Sequence, residues 1–129
     1  MRGDLVECLL ACDDATLDPA MVSWEDDWAV SVVLTSAGYP GHYERGKVIH
    51  GIDDANAMEG VIVYHAGTTR DEGGRVLTAG GRVLDVTAVA ATFEDARNRA
   101  YEACDRISFE GKTYRHDIGI RAIRGRDRL

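Results

Sequence analysis

Three short glycine-bearing segments hold the residues whose types could do chemistry: Ser36-Ala37-Gly38-Tyr39-Pro40-Gly41, His65-Ala66-Gly67-Thr68-Thr69 and Thr78-Ala79-Gly80-Gly81-Arg82-Val83-Leu84. The third is the most suggestive. Adjacent glycines let backbone N–H groups approach a ligand closely, and the arginine that follows supplies a fork of donors suited to an oxyanion. Gly80, Gly81 and Arg82 therefore read as a candidate phosphate cradle. The same letters also describe a tight turn before a long strand, with Arg82 on the surface, and spacing alone favours that plainer reading. Gly38, Tyr39 and Pro40 read as a sharp turn that could border such a site.

The remaining chemistry is sparse. No carboxylate pair stands at a spacing that demands acid–base work, and neither a phosphate-binding nor a dinucleotide-binding glycine fingerprint is present. The sequence has no Cys/His cluster at zinc-ligand spacing, so no metal ligands and no catalytic residues are assigned. His65 shares its strand face with Val61 and Val63 and reads as a core or half-buried histidine. The three cysteines form no C-x-x-C pair, and Cys8 and Cys12, four apart on a helix, read as small buried hydrophobes.

The elements that must position these residues follow from patterning. Asp4 caps a short helix, with Glu7 three residues on and Leu5, Cys8, Leu9 and Cys12 at helical spacing. Residues 13–27 form an acidic loop. Residues 28–36 alternate as a strand, with Val30, Val32 and Leu34 on one face. Further strands are expected at 47–50, 61–66, 75–78, 82–91 and 113–115. Asp71-Glu72-Gly73-Gly74 is a hairpin loop, and Asp53 caps a brief helix ended by Gly60. Thr92 caps the main helix, boxed by Asp95, and Phe93, Ala96, Ala100, Ala103, Cys104 and Ile107 make its apolar stripe. The sum is an α+β domain: a mostly antiparallel sheet with one main helix packed on a face.

Composition narrows the class. At 129 residues the chain fits one domain with a modest core. The net charge of −7 argues against nucleic-acid binding. No apolar run approaches the roughly 20 residues needed to cross a membrane, and the N-terminus lacks the layout of a secretory signal. A cytoplasmic protein without membrane partners is expected. Residues 1–30 hold eight acids against one base, whereas the end of the chain is basic.

Four motifs in order carry a family likeness. SAGYPGHYERGKVIHGIDDA, GVIVYHAGT, GGRVLDVTAVAATFEDARNRAYEACDRISFEG and YRHDIG resemble the C-terminal domain of the phosphoribosylamine–glycine ligases, members of the ATP-grasp superfamily, over roughly residues 4–120. The family usually has two glycines before Tyr-Pro, where this chain has Ala37-Gly38. It usually has Asn before GGRVL, where Ala79 removes a side-chain amide.

The resemblance implies a C-terminal domain of the rudimentary hybrid, barrel-sandwich-like kind. It spans residues 28–122, after a linker helix and acidic loop at 1–27, with a disordered basic tail at 123–129. It implies the ligase of purine biosynthesis that uses ATP and Mg²⁺ to join glycine to 5-phosphoribosylamine, giving glycinamide ribonucleotide. The ATP and Mg²⁺ sites belong to N-terminal and ATP-grasp partner domains that precede the point where these motifs start. The chain alone is expected to hold no cofactor and to be inactive. By position, Arg82 matches the arginine that holds a ribose phosphate in related enzymes, which raises the Gly80-Gly81-Arg82 turn above the plainer reading. An exposed apolar patch is expected near Tyr39, Pro40 and the first helix. The competing class is a stand-alone, non-catalytic phosphoribosyl- or anion-binding module of the same fold. A biotinyl- or lipoyl-type carrier fails, because neither Lys47 nor Lys112, the two lysines, sits in the required hairpin.

Overall fold

Alternation of buried and outward residues over 30–36 opens the sheet. Trp28–Ser36 (β1) buries Val30, Val32 and Leu34 and turns Ser31 and Val33 outward. In the computed structural model, which describes residues 1–126, β1 is followed by a short helix α2 (Ile52–Asn56), β2 (Val61–His65), a small hairpin β3 (Thr68–Arg70) and β4 (Val76–Thr78), and β5 (Arg82–Ala90). The main helix α3 (Phe93–Arg106), an edge strand β6 (Lys112–Thr113) and a last helix α4 (Ile120–Arg126) complete it. A helix α1 (Leu5–Asp13) and a 3₁₀ turn at Pro19–Met21 precede β1. The main sheet runs in the order β2-β5-β1-β6, and every pairing in it is antiparallel.

Register places the apolar residues in rows. Val30 and Val61 flank Ala88, and Val32 and Val63 flank Val86. The helix laid on this face presents Ala96, Ala100 and Ala103, all fully buried, so its backbone comes close to the sheet. Phe93, Cys104 and Ile107 complete the stripe that the 3.6-residue period predicted. Each fully buried Val, Leu or Ile here contributes about 1.5–3 kcal/mol relative to exposure. The α+β architecture read from the sequence is the one observed.

Both ends of α3 are secured. Thr92 Oγ1 accepts from Asp95 N and donates to the Asp95 carboxylate. At the other end, Lys112 Nζ donates to the carbonyls of Cys104 and Ile107 at 2.9 and 2.6 Å, putting a cation where the helix dipole is negative.

Several local expectations are corrected. Val48 and His50 make isolated bridges to Leu77 and Ser108 rather than a strand. α2 starts at Ile52 behind left-handed Gly51, not at a cap from Asp53, because a Cβ at 51 would meet the carbonyl oxygen of Arg106. Thr68–Arg70 pairs with β4, a strand too short for periodicity to reveal. Cys8 is buried but Cys12 is exposed, since α1 covers only the side bearing Cys8 and Ala11. α4 occupies residues 123–126 of the stretch expected to be a disordered tail, and 127–129 lie outside the described residues.

Candidate functional site

Ser36, at the end of β1, ties the two predicted turns together. Its N–H donates to the Gly81 carbonyl at 2.9 Å and its hydroxyl to the Gly80 carbonyl at 3.1 Å. The chain then folds over itself: Tyr39 N–H returns to the Ser36 carbonyl, Gly38 takes φ +90°, and the Tyr39–Pro40 peptide is cis. Tyr39 and Tyr43 settle on Gly81, where a Cβ would fall 2.3 Å from the Tyr39 ring. Of Gly38, Tyr39 and Pro40, the residue brought against the Gly80-Gly81-Arg82 turn is Tyr39, whose ring lies on Gly81 and lines the same clefts as Arg82.

The amides tell a different story from the one that the paired glycines suggested. Gly80 N–H and Ala79 N–H both donate to the Gly67 carbonyl, at 3.1 and 2.8 Å. Gly67 N–H in turn donates to the Arg82 carbonyl, and Gly67 lies so near Gly80 that a Cβ on it would come within 2.7 Å of the Gly80 Cα. Gly80 and Gly67 serve close backbone packing, and the Gly80 amide is not bare toward solvent. The second and third glycine segments therefore explain each other, through a contact between residues far apart in the chain.

Arg82 fares better. A β-bulge between Leu34 and Thr35 shifts the register so that Thr35 faces Arg82, and such irregularities re-aim side chains. Arg82 is exposed, and among the described residues its guanidinium has no hydrogen-bond or ion-pair partner. It stands with Tyr39 on the wall shared by two open clefts. One, of about 490 Å³, is also lined by Val33, Thr113, Tyr114 and Arg115. The other, of about 630 Å³, is lined by Val33, Tyr43, Gly67 and Asp85. Both open on the sheet face that α3 leaves uncovered, where Ser31–Thr87 and Thr35–Thr113 hydroxyl pairs at 2.6 and 2.7 Å supply polar groups.

The cleft's far wall was missed by sequence reasoning. Residues 114–118 are strapped onto α3 by Arg97, which donates to the Ile118 and His116 carbonyls, and by Tyr101, whose hydroxyl donates to the Arg115 carbonyl and accepts from Ile118 N–H. Arg97 and Tyr101 are four apart on one helix face, the one signal that could have paired them. Arg115 grips Asp117 through two bonds of 2.8 and 2.7 Å, which lowers the Asp117 carboxyl. Tyr114 donates to Asp105 at 2.6 Å, and that bond, with burial, pushes its hydroxyl up to about 12. His65 is exposed rather than part of the core, its Nδ1 2.9 Å from the Thr68 hydroxyl.

Among the described residues no three His, Cys, Asp or Glu side chains gather as a metal site. The described residues hold no ligand set for the Mg²⁺ that the resemblance assigns to the preceding domains. No described helix is long and apolar enough to cross a membrane.

Comparison with known proteins bears on the whole arrangement. The family described as phosphoribosylglycinamide synthetase, C domain, matches residues 29–121, which takes in both turns, both clefts and the strap. The chain belongs to this family. It is 45% identical over 96% of its length to the chloroplastic phosphoribosylamine–glycine ligase of Arabidopsis thaliana, and 46% identical over 95% to that of Chlorobaculum tepidum. It covers 24% and 29% of those proteins, so it spans about a quarter of the length of the relatives it matches. The crystal structure of the Thermotoga maritima phosphoribosylamine–glycine ligase superposes with a TM-score of 0.71 at 37% identity, covering 88% of this chain and 27% of that one. The phosphoribosylglycinamide synthetase C domain is thus both the fold and the lineage of the chain.

Proposed function

We propose that the chain works as the C-terminal domain of a cytoplasmic phosphoribosylamine–glycine ligase, with residues 28–122 as the domain proper. It closes over 5-phosphoribosylamine while preceding domains bind ATP, Mg²⁺ and glycine. The observation that carries this reading is the Arg82 guanidinium, exposed and without a partner among the described residues, on the wall shared by two clefts inside the matched region. A guanidinium in that setting offers a phosphate two parallel bonds, and Tyr39 and Tyr43 beside it offer apolar surface for a ribose. Gly80, whose amide is spent on the Gly67 carbonyl, and Gly81, the seat of Tyr39, contribute by shaping the turn.

The test joins this chain to the preceding domains of the Chlorobaculum tepidum ligase. Arg82→Ala should raise the KM for phosphoribosylamine about tenfold or more, the loss expected of one charge-assisted bidentate contact, and leave the KM for ATP nearly unchanged. Arg82→Lys should fall between the two. Equal effects on both substrates, or none, would make Arg82 structural. The 129-residue chain given ATP, glycine and phosphoribosylamine should release no ADP above blank. Turnover by the chain alone would overturn the assignment of ATP and Mg²⁺ to other domains.

A further inference from the structure

Asp85 is an acid at a position where a sheet disfavours one. It lies on β5, a strand flanked by β1 and β2, with Val33 and Tyr64 as its cross-strand neighbours. Aspartate is depleted in strands, and a half-buried carboxylate without a cation is costly. Among the described residues it receives one hydrogen bond, from the Thr87 hydroxyl to Oδ1 at 3.3 Å. Thr87 has a single proton to give, so Ser31 is the donor in the Ser31–Thr87 pair, and the two hydroxyls form a short chain that ends on Asp85. Oδ2 has no hydrogen-bond partner among the described residues, and the carboxylate forms no ion pair with them. Packing alone gives no reason for an acid here.

The β-bulge decides what this acid faces. Arg82 and Asp85 are three apart, and in a regular strand they would point to opposite faces. The pairing of β1 with β5 passes over Val83, so Arg82 stands opposite Thr35 and Asp85 opposite Val33. Thr35 and Val33 are two apart and share the face that α3 leaves uncovered. Arg82 and Asp85 are thereby brought to that same face, about 7 Å apart along the strand. Both line the cleft that holds Tyr39 and Tyr43, and neither pairs with the other. A cation and an acceptor-only group, set about one sugar apart over an apolar floor, complement a molecule with an anion at one end and hydroxyl donors at the other. We propose that Asp85 reads the sugar of the substrate whose phosphate Arg82 binds: its carboxylate accepts from the 2- and 3-hydroxyls of the phosphoribosyl group and selects ribose over 2-deoxyribose. The proposal rests on the ligase reading above and adds to it a residue that determines specificity. An acid likewise accepts from a ribose hydroxyl in dinucleotide-binding folds.

The experiment uses this chain joined to the preceding Chlorobaculum tepidum domains, with ribose 5-phosphate and 2-deoxyribose 5-phosphate as inhibitors competing with phosphoribosylamine. The parent should bind ribose 5-phosphate about tenfold more tightly, the difference expected of one hydrogen bond to a charged group. Asp85→Ala should bring that ratio close to one by weakening ribose 5-phosphate alone, with the KM for ATP unchanged. Asp85→Asn, of the same shape with one acceptor oxygen, should fall between the two. A parent that does not distinguish the two sugars overturns the proposal, as does a ratio that survives Asp85→Ala. So does an equal loss for both inhibitors, which would mean that Asp85 shapes the cleft or holds a cation of a preceding domain. Arg82→Ala separates this from the ligase reading: it should weaken both sugar phosphates alike and keep the ratio. An Arg82 variant without effect, beside an Asp85 variant that abolishes the ratio, would remove the phosphate assignment and leave the sugar site in place.

Discussion

Several side chains in this domain, Arg97, Tyr101 and Lys112 among them, act through the backbone carbonyls they hold. Tyr114 instead holds a carboxylate, with a sign that can be checked. Its bond to Asp105, then burial, raise its pKa from 10.0 to about 12. A folded-state value above the unfolded one means that the contribution is complete below about pH 10 and is lost as pH rises through about 12. Tyr114→Phe should therefore melt below the parent at neutral pH, and the gap should close by about pH 12, as read by thermal denaturation across that window. The cysteines give a second expectation. Cys104 is fully buried and its thiol is pushed up to about 12 by desolvation, Cys8 is buried, and Cys12 is exposed. A thiol reagent at neutral pH should label Cys12 quickly and Cys8 and Cys104 only after unfolding, as counted by mass spectrometry.

At the scale of elements, the contact of α3 with β1 and β5 dominates. Ala100 and Ala103 have no exposed surface there, so an acid at either position meets the sheet with no partner. Ala100→Asp or Ala103→Asp should cost on the order of 3–5 kcal/mol, measured by denaturant unfolding. A variant that unfolds like the parent would place the helix elsewhere. Lys112 acts between elements, since it sits on β6 and caps α3. Lys112→Met keeps the stem and removes the charge, and should cost about 1–2 kcal/mol from two carbonyl bonds and the dipole term. That loss would show in the same unfolding assay with little effect on cleft residues such as Arg82.

Across the whole molecule, stability is uneven. The sheet and α3 form one core, whereas α1 is attached through the Arg2–Ser23 bridge, the Arg2–Glu25 ion pair and the small contact of Cys8 and Ala11. Elements with little buried apolar surface open at low free energy. Hydrogen exchange of the isolated chain should therefore show the amides of Leu5–Asp13 exchanging well before those of β5 and α3. Equal protection would mean that α1 is part of the core after all.

By itself the sequence determined what is local. The alternation of Val30, Val32 and Leu34 set β1 to the residue, and the Phe93-to-Ile107 stripe with its Thr92 cap set α3, because period and caps are encoded within one turn or one strand. The four motifs likewise carried the family. What only tertiary structure decided depends on partners distant in the chain. Gly80 lost its free amide to Gly67, Gly81 proved to be a seat for Tyr39 and Tyr43, and the strap at 114–118 hangs on Arg97 and Tyr101. His65 left the core because β2 is the outer strand of its sheet and its exposed end turns toward Thr68. A glycine pair reads the same whether its amides face a phosphate or a neighbouring carbonyl. Only the fold determines that the Gly67 carbonyl comes 3.1 Å from the Gly80 amide.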